Sequence, residues 1–249
     1  MKWVKEFYSK QNKWAKAYEG NPTDYHNNKV RDLNQSVGAP PLQVLELGAG
    51  GGQFSVSAAL AGYHVTAVEI VPDSVKHIRK LCEEYKVESF ISIKEEDFYR
   101  LDYDAYFDAI CYWDGFGIGT DEDQTRLLNL MEKWLKPGGS ILMDVYTPWF
   151  WSYADGQNMK FGEVERRYTF NAFECRMEDS WWLSENPSEV VTQSLRCYSP
   201  ADLQLLLKNT NLTIDTINPG GALDYNTMEF TEKVDLSKAM SYRVKIIKK

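Results

Sequence analysis

Short apolar runs and amphipathic stretches alternate along residues 44 to 145. Val44-Leu45-Glu46-Leu47 is a compact run of the kind a buried parallel strand shows; glycines follow at once, and Phe54 to Ala61 reads as a helix. His64 to Ile70 is a β-branched strand, and Pro72 suits the first turn of a helix that turns Val75, Ile78 and Cys82 inward. Phe90 to Ile93 and Phe107 to Trp113 give two more strands. Thr120 or Asp121 caps a helix whose Leu127, Met131, Trp134 and Leu135 recur at i, i+4, i+7 and i+8. Lys136-Pro137-Gly138-Gly139 ends that helix, and Ser140 to Val145 is the fifth strand. Strands alternating with helices at this interval predict an α/β fold with a doubly wound, mostly parallel sheet.

The flanks break the rhythm. Trp3 to Tyr18 carries aromatics at helical spacing, with Phe7, Trp14 and Tyr18 able to share a face, before Glu19-Gly20-Asn21-Pro22-Thr23-Asp24 stops it; residues 1–40 read as an N-terminal helical cap. Between 146 and 198, Arg166 to Met177 and Val190 to Tyr198 are strand-like, joined through Ser184-Glu185-Asn186-Pro187. Val191, Leu195 and Cys197 share one face while Thr192, Ser194 and Arg196 share the other, so this segment predicts an antiparallel β insertion. Ser199-Pro200-Ala201-Asp202 starts a helix with Leu203, Leu206 and Leu207 as its stripe, and Asn211 to Ile217 and Ser241 to Ile247 are late strands. The whole, 1–249, reads as one domain carrying these two additions.

Composition narrows the function. A length of 249 residues suits one α/β domain with an insertion, or at most two small domains. The formal net charge of −8 repels polyanions, which disfavours nucleic acid as a partner; the short basic end Lys245-Ile246-Ile247-Lys248-Lys249 reads as a solvated strand end. No apolar run approaches the roughly 18 to 20 residues of a membrane helix, and Met1-Lys2-Trp3-Val4-Lys5-Glu6 lacks a signal-peptide core; a cytoplasmic protein is expected. Cys82, Cys111, Cys175 and Cys197 form no Cys-x-x-Cys pair, and with three scattered histidines they offer no metal-ligand spacing, so reduced structural thiols and no metal are expected.

The chemistry concentrates in Glu46-Leu47-Gly48-Ala49-Gly50-Gly51-Gly52-Gln53, between a strand and a helix. Glycines there let the backbone take positive φ and approach a ligand closely, at the carboxyl ends of strands where such sheets bind small molecules. By itself the turn is also what a tight strand–helix connection looks like. Glu69 ends the next strand about 20 residues on, placed for ribose hydroxyls. Glu96-Asp97-Phe98 follows the third strand, where an acid and an aromatic can hold an adenine edge and face. A nicotinamide or flavin fingerprint wants a glycine where Gln53 stands, and no Gly-Lys-Ser/Thr follows for a P-loop.

On these residues, together with Leu135-Lys136-Pro137-Gly138-Gly139, the sequence resembles the class I S-adenosylmethionine-dependent methyltransferases, over about Val44 to Val145 and more loosely through the last helix and strands. The resemblance implies a seven-stranded sheet whose last strand runs antiparallel, between the fifth and sixth. It also implies S-adenosylmethionine as cofactor and S-adenosylhomocysteine as product. Glu46 would then support the methionine amino group, and Gly48 and Gly50, with Ala49 and Gly52 of the same turn, would line the methionine and ribose. Glu69 would take the ribose hydroxyls, Ile70 pack on adenine, Asp97 read its amino group with Phe98 beside it, and Trp113 offer a backbone carbonyl to the methionine amine.

Methyl transfer from a sulfonium relies on positioning and desolvation, and needs a general base only if the acceptor must lose a proton. The strand end Tyr112-Trp113-Asp114-Gly115-Phe116 lacks the Asn/Asp-Pro-Pro-aromatic motif of amino-DNA enzymes, and no Pro-Cys pair offers a C5 nucleophile. A small-molecule N or O acceptor is the expectation, with a protein acceptor or a non-catalytic cofactor-binding module as alternatives. Tyr112, Phe116, Trp149, Trp151 and Trp182 are candidate acceptor-site aromatics, as against core and lid packing. Asp114 is the candidate base or amine anchor, as against a solvated loop acid. Tyr8, Trp14 and Tyr18 are read as a lid over the cofactor or as a helix packed on the sheet. Acceptor identity and oligomeric state are not legible.

Overall fold

The computed structural model describes residues 2–16 and 18–249. Two helices come first, α1 (Lys2–Ala15) and α2 (Asp24–Ser36). Lys16 takes φ +52° just past α1, so the predicted helix to Tyr18 stops short; Ala17, inside that prediction, lies outside the described residues. α2 begins where the Thr23 N–H donates to His26 Nδ1 at 3.1 Å, and it buries Lys29, Val30 and Leu33.

The alternating core then runs β1 (Gln43–Leu47), α3 (Gln53–Leu60), β2 (His64–Glu69), α4 (Pro72–Tyr85), β3 (Ile91–Glu95), β4 (Phe107–Tyr112), α5 (Asp121–Trp134) and β5 (Leu135–Tyr146). Thr120 caps α5, its Oγ1 accepting from the Asp123 N–H at 3.2 Å. The Lys136–Gly139 segment does not separate α5 from β5, as the sequence suggested. β5 already begins at Leu135, opposite Phe107, and the next aligned pair is Ala109 with Ser140, so the four residues between bulge out with Gly138 at φ +77°.

After α6 (Pro148–Tyr153) comes the insertion: β6 (Asn158–Phe161), β7 (Val164–Asn171), β8 (Arg176–Leu183) and β9 (Asn186–Arg196), antiparallel in that order. The expected run Arg166 to Met177 is two strands, because the chain turns back before Cys175, which sits at φ +53°. Then follow α7 (Pro200–Leu206), β10 (Leu212–Pro219), a small hairpin β11 (Ala222–Asp224) and β12 (Glu229–Thr231) with no expectation attached, and β13 (Ser241–Lys248). Lys248 Nζ donates to the carbonyls of Glu132 and Leu135 at 2.7 and 2.8 Å, capping the end of α5 rather than sitting free in solvent.

The main sheet has seven strands in the order β10-β13-β5-β4-β1-β2-β3, with β13 antiparallel to both neighbours and β5, β4, β1, β2 and β3 mutually parallel. Its two faces are covered as the strand period of two requires. Leu45, Ile110, Ile141 and Met143 meet α5 and α7; Val44, Ala109, Cys111 and Leu142 meet α2, α3 and α4. Strand order reverses between β1 and β4, and a crevice opens at their carboxyl ends.

One face of the insertion sheet packs on the rest of the protein. At one end Val164, Trp181 and Val191 hold Phe7 of α1; at the other Tyr168, Met177 and Leu195 hold Phe150 and Trp151 of α6. Between them runs a polar row. Arg166 Nε and Nη2 donate to the buried Asp179 at 2.6 and 2.7 Å, Gln193 Nε2 donates to Asp179 at 2.8 Å, and Tyr8 Oη of α1 donates to Gln193 Oε1 at 3.2 Å.

Candidate active site at the β1–β4 crevice

The turn after β1 is shaped by glycine where nothing else fits. Gly50 takes φ +54°, and a Cβ there would stand 3.0 Å from the ring of Tyr18. Gly52, at φ +84°, is the N-cap of α3, and its Cβ would press on Ile78 at 2.8 Å. Gln53 occupies the position of the missing third glycine. Its Nε2 donates to the carbonyls of Tyr18 and Gly20, at 3.2 and 2.9 Å, tying the segment after α1 down onto the turn.

Three carboxylates ring this turn. Glu69, at the end of β2, accepts from the N–H groups of Gly50 (2.7 Å), Ile70 and Val71 (both 2.8 Å). Burial pushes its carboxyl up, and these bonds oppose the shift. An ionised carboxyl has about four acceptor sites, so Oε2, with a single N–H partner here, keeps capacity for a hydroxyl. Glu46 is buried in β1 and accepts from the Ser55 hydroxyl; burial pushes it up to about 8 against that bond. Asp97 caps a short turn through the Tyr99 N–H at 3.0 Å, and Phe98 lies tilted against Tyr99 and, at 5.8 Å, edge-on to Tyr112.

Next to β4, Asp114 opens onto the crevice and accepts from the Tyr146 hydroxyl. Asp114 is exposed to the space of the crevice, and the protein walling that space pushes its carboxyl up to about 6 against the pull of Tyr146 and Lys29. Lys29 reaches in from α2, 5.0 Å from the Trp113 ring and 4.5 Å from that of Tyr25. Below it Arg243 bonds Asp144 and Asp32 and lies 4.8 Å from the Trp113 ring, fixing α2 to the sheet.

A cavity of about 510 Å³ opens among these groups. It brings together Glu46, Gly48, Ala49, Gly50, Glu69, Ile70, Asp97, Phe98, Tyr112, Trp113 and Asp114, with Tyr8 and Tyr18 over them. Gly52 is not in the lining; it serves the packing of α3 on α4. Four aromatics of the expected acceptor wall stand elsewhere. Phe116 is enclosed in the core beside Tyr198. Trp149 and Trp151 belong to the apolar contact between α6 and the insertion, where the Trp151 Nε1–H donates to the Met240 carbonyl at 3.0 Å. Trp182 alternates with Trp181 and so points to the outer face of β8. Trp14 packs with Phe7 on the insertion instead of lining the cavity. Lys29, Gln53 and Tyr146 were missed. A lysine on the stripe that α2 buries was the available signal for the first, while nothing in the order of residues pairs Tyr146 with Asp114.

Comparison with known proteins matches residues 44–139 to the family described as a methyltransferase domain, the stretch that carries the glycine turn, Glu69, Asp97 and Asp114. Residues 44–139 are a class I S-adenosylmethionine-dependent methyltransferase domain. Outside that stretch the chain has the family's sheet, including the antiparallel β13 between β5 and β10. Its sequence is 28% identical over 111 residues to a ubiquinone biosynthesis O-methyltransferase of Xylella fastidiosa (strain M23). That match covers 45% of this chain and 44% of the relative, so the chain spans less than half the length of the curated relative it matches. In fold it is similar to the CcbJ methyltransferase from Streptomyces caelestis, with TM-score 0.73 and 16% identity over 90% of each chain. It is also similar to an S-adenosylmethionine-dependent methyltransferase from Clostridium acetobutylicum ATCC 824, with TM-score 0.69 and 15% identity over 98% of each. Among the described residues no group of three or more His, Cys, Asp or Glu side chains is arranged to hold a metal ion, and no helix is long and apolar enough to cross a membrane.

Proposed function

We propose that the chain, acting as one domain with its helical cap and β insertion, transfers the methyl group of S-adenosylmethionine to a nitrogen or oxygen of a small molecule. One observation carries this reading: the acids suited to the cofactor and the aromatic, acid-bearing end of β4 share one cavity, whose volume of about 510 Å³ falls in the range of small-ligand sites, roughly 300–1,000 Å³. The residues present fit the cofactor. Glycine leaves the turn open, Glu69 Oε2 keeps a site for a ribose hydroxyl, and Glu46 offers a desolvated carboxyl to the methionine ammonium. Ile70, Asp97 and Phe98 would hold the adenine, and the Trp113 carbonyl would share the ammonium.

When bound, the cofactor supplies an activated sulfonium methyl, so the chain's work is positioning and exclusion of water. Tyr8 and Tyr18 cover the cavity, and Tyr112 and Trp113 wall it on the β4 side. Asp114 stands at the acceptor end, oriented by Tyr146, to accept a proton or anchor a donor. The curated relative's name as an O-methyltransferase of ubiquinone biosynthesis supports a small acceptor. A polypeptide acceptor would have to displace the α1 segment tied down by Gln53 and Gln193.

The test is transfer of labelled methyl from S-adenosylmethionine, with a panel of small amines and phenols on one side and a cell lysate on the other. Label in small molecules supports the reading. Label fixed in protein overturns it, and cofactor binding with no turnover on any acceptor favours a non-catalytic module.

A further inference from the structure

The cavity has an unusual charge balance. Five carboxylates line the cavity (Glu46, Glu69, Glu96, Asp97 and Asp114) against the two lysines Lys16 and Lys29. A methyl donor with a sulfonium, an ammonium and a carboxylate adds one net positive charge, which leaves the filled cavity negative. Asp114 is the acid that no element of the cofactor site explains. Among the described residues its side-chain partner is the Tyr146 hydroxyl, and no lysine or arginine pairs with it.

Two cations send their field to Asp114, and both are committed elsewhere. Arg166 of β7 is bound in two hydrogen bonds by Asp179, and Lys29 of α2 lies over the Tyr25 and Trp113 rings. Asp144, farther down β5, adds negative field and is itself held by Arg243. The remaining neighbours are neutral hydroxyls: the field of Asp114 reaches Tyr8 of α1, Tyr18, Tyr112 of β4, Tyr146 of β5 and Tyr168 of β7, and burial first, with that field adding to it, holds all five well above their ordinary range. They cannot serve as tyrosinate bases, and their π faces and oxygens favour a cation. His26 cannot take Asp114's part, since its Nδ1 accepts the Thr23 N–H that starts α2.

Filling this space strips water from Asp114. A neutral, apolar acceptor would do so with nothing in return, whereas an ammonium ion restores a charge-assisted hydrogen bond. We infer that the acceptor is a small amine that enters as its ammonium ion, is held by Asp114 inside the tyrosine wall, and gives Asp114 a proton to become the nucleophile. This rests on reading the cavity as a methyl-transfer site. In the step itself the freed nitrogen lone pair forms the new N–C bond as the donor's S–C bond breaks, its electron pair staying on sulfur. The sulfonium becomes a neutral thioether, the nitrogen takes the positive charge, and Asp114 keeps the proton until product leaves.

Binding tests this without turnover. The protein saturated with S-adenosylhomocysteine is titrated at pH 8 with benzylamine, benzyl alcohol and phenol, by calorimetry or ligand-observed NMR. Benzylamine is expected to bind at least about tenfold more tightly than either neutral probe, and D114N should erase that preference while retaining S-adenosylhomocysteine. Equal or tighter binding of benzyl alcohol or phenol, no binding of benzylamine, or an intact amine preference in D114N would each overturn the inference. The wild-type comparison decides it even if D114N does not fold. Failure of S-adenosylhomocysteine to bind in the first place would instead remove the methyltransferase reading.

Discussion

Replacing Glu46 by Gln isolates the charge that, on the proposed reading, β1 holds under the cofactor's methionine end. Burial raises that carboxyl from 4.5 to about 8, so at pH 7 about nine molecules in ten carry a proton there. A bound ammonium favours the ionised carboxylate, and an α-amino group of pKa about 8 is itself mostly protonated at pH 7. Cofactor binding at pH 7 should therefore expel close to one proton, and affinity should climb almost tenfold per unit from pH 6 towards 8, then level off as the amine loses its own charge. The assay is calorimetric titration of S-adenosylhomocysteine in buffers of different ionisation enthalpy. The apparent enthalpy of the wild type should slope with the buffer's by roughly 0.7 to 0.9 proton released. Glu46→Gln should flatten that slope and cost about 10- to 100-fold in affinity, the worth of a charged hydrogen bond of about 1.5–3 kcal/mol. Equal slopes in the two proteins, or tighter wild-type binding at pH 6 than at pH 8, would refute the reasoning.

Other outcomes follow from the same packing and charges. Glu46 is held above its ordinary value, so its contribution to the unliganded fold is complete below about pH 4.5 and is lost as pH rises through about 8. Chemical denaturation should show the wild type losing up to about 4 kcal/mol over that window, a loss absent from Glu46→Gln. Gly50→Ala must adopt φ +54° with its Cβ 3.0 Å from the Tyr18 ring; a stability loss of about 1 kcal/mol and weaker S-adenosylhomocysteine binding are expected from melting and titration. Phe116→Ala should cost about 3–5 kcal/mol in urea unfolding yet leave S-adenosylhomocysteine affinity unchanged, because Phe116 is core and not acceptor wall. Asp179→Ala strands Arg166 without its carboxylate and should destabilise by about 3–5 kcal/mol, with Asp179→Asn milder.

The sheet was legible because its strands are buried on both faces. Val44 to Leu47 and Phe107 to Trp113 are apolar almost throughout, and only helices on both sides can satisfy that. The meeting of Gly48, Gly50, Glu46 and Glu69 at one crevice was legible for a related reason: they sit next to strand ends, so their positions follow once the strands are placed. The acceptor half was not, since it depends on alternation one step removed. Trp181 and Trp182 are adjacent in sequence and face opposite ways; Phe116 leaves β4 but turns into the core two residues after Asp114. The insertion's polar row, Arg166–Asp179–Gln193–Tyr8, joins four separate elements, and residue spacing carries no trace of such a meeting. Lys136–Gly139 misled in its turn, because a Pro-Gly-Gly run that usually stops a helix here bulges from a strand already begun.

A crystal structure of the protein grown with S-adenosylhomocysteine bears most directly on the whole account. The nucleoside should lie across the turn at residues 48–52, a ribose hydroxyl on Glu69 Oε2, the amine towards Glu46, and the sulfur facing Asp114. Density for the nucleoside elsewhere, or a Glu69 side chain turned out of the crevice, would contradict it.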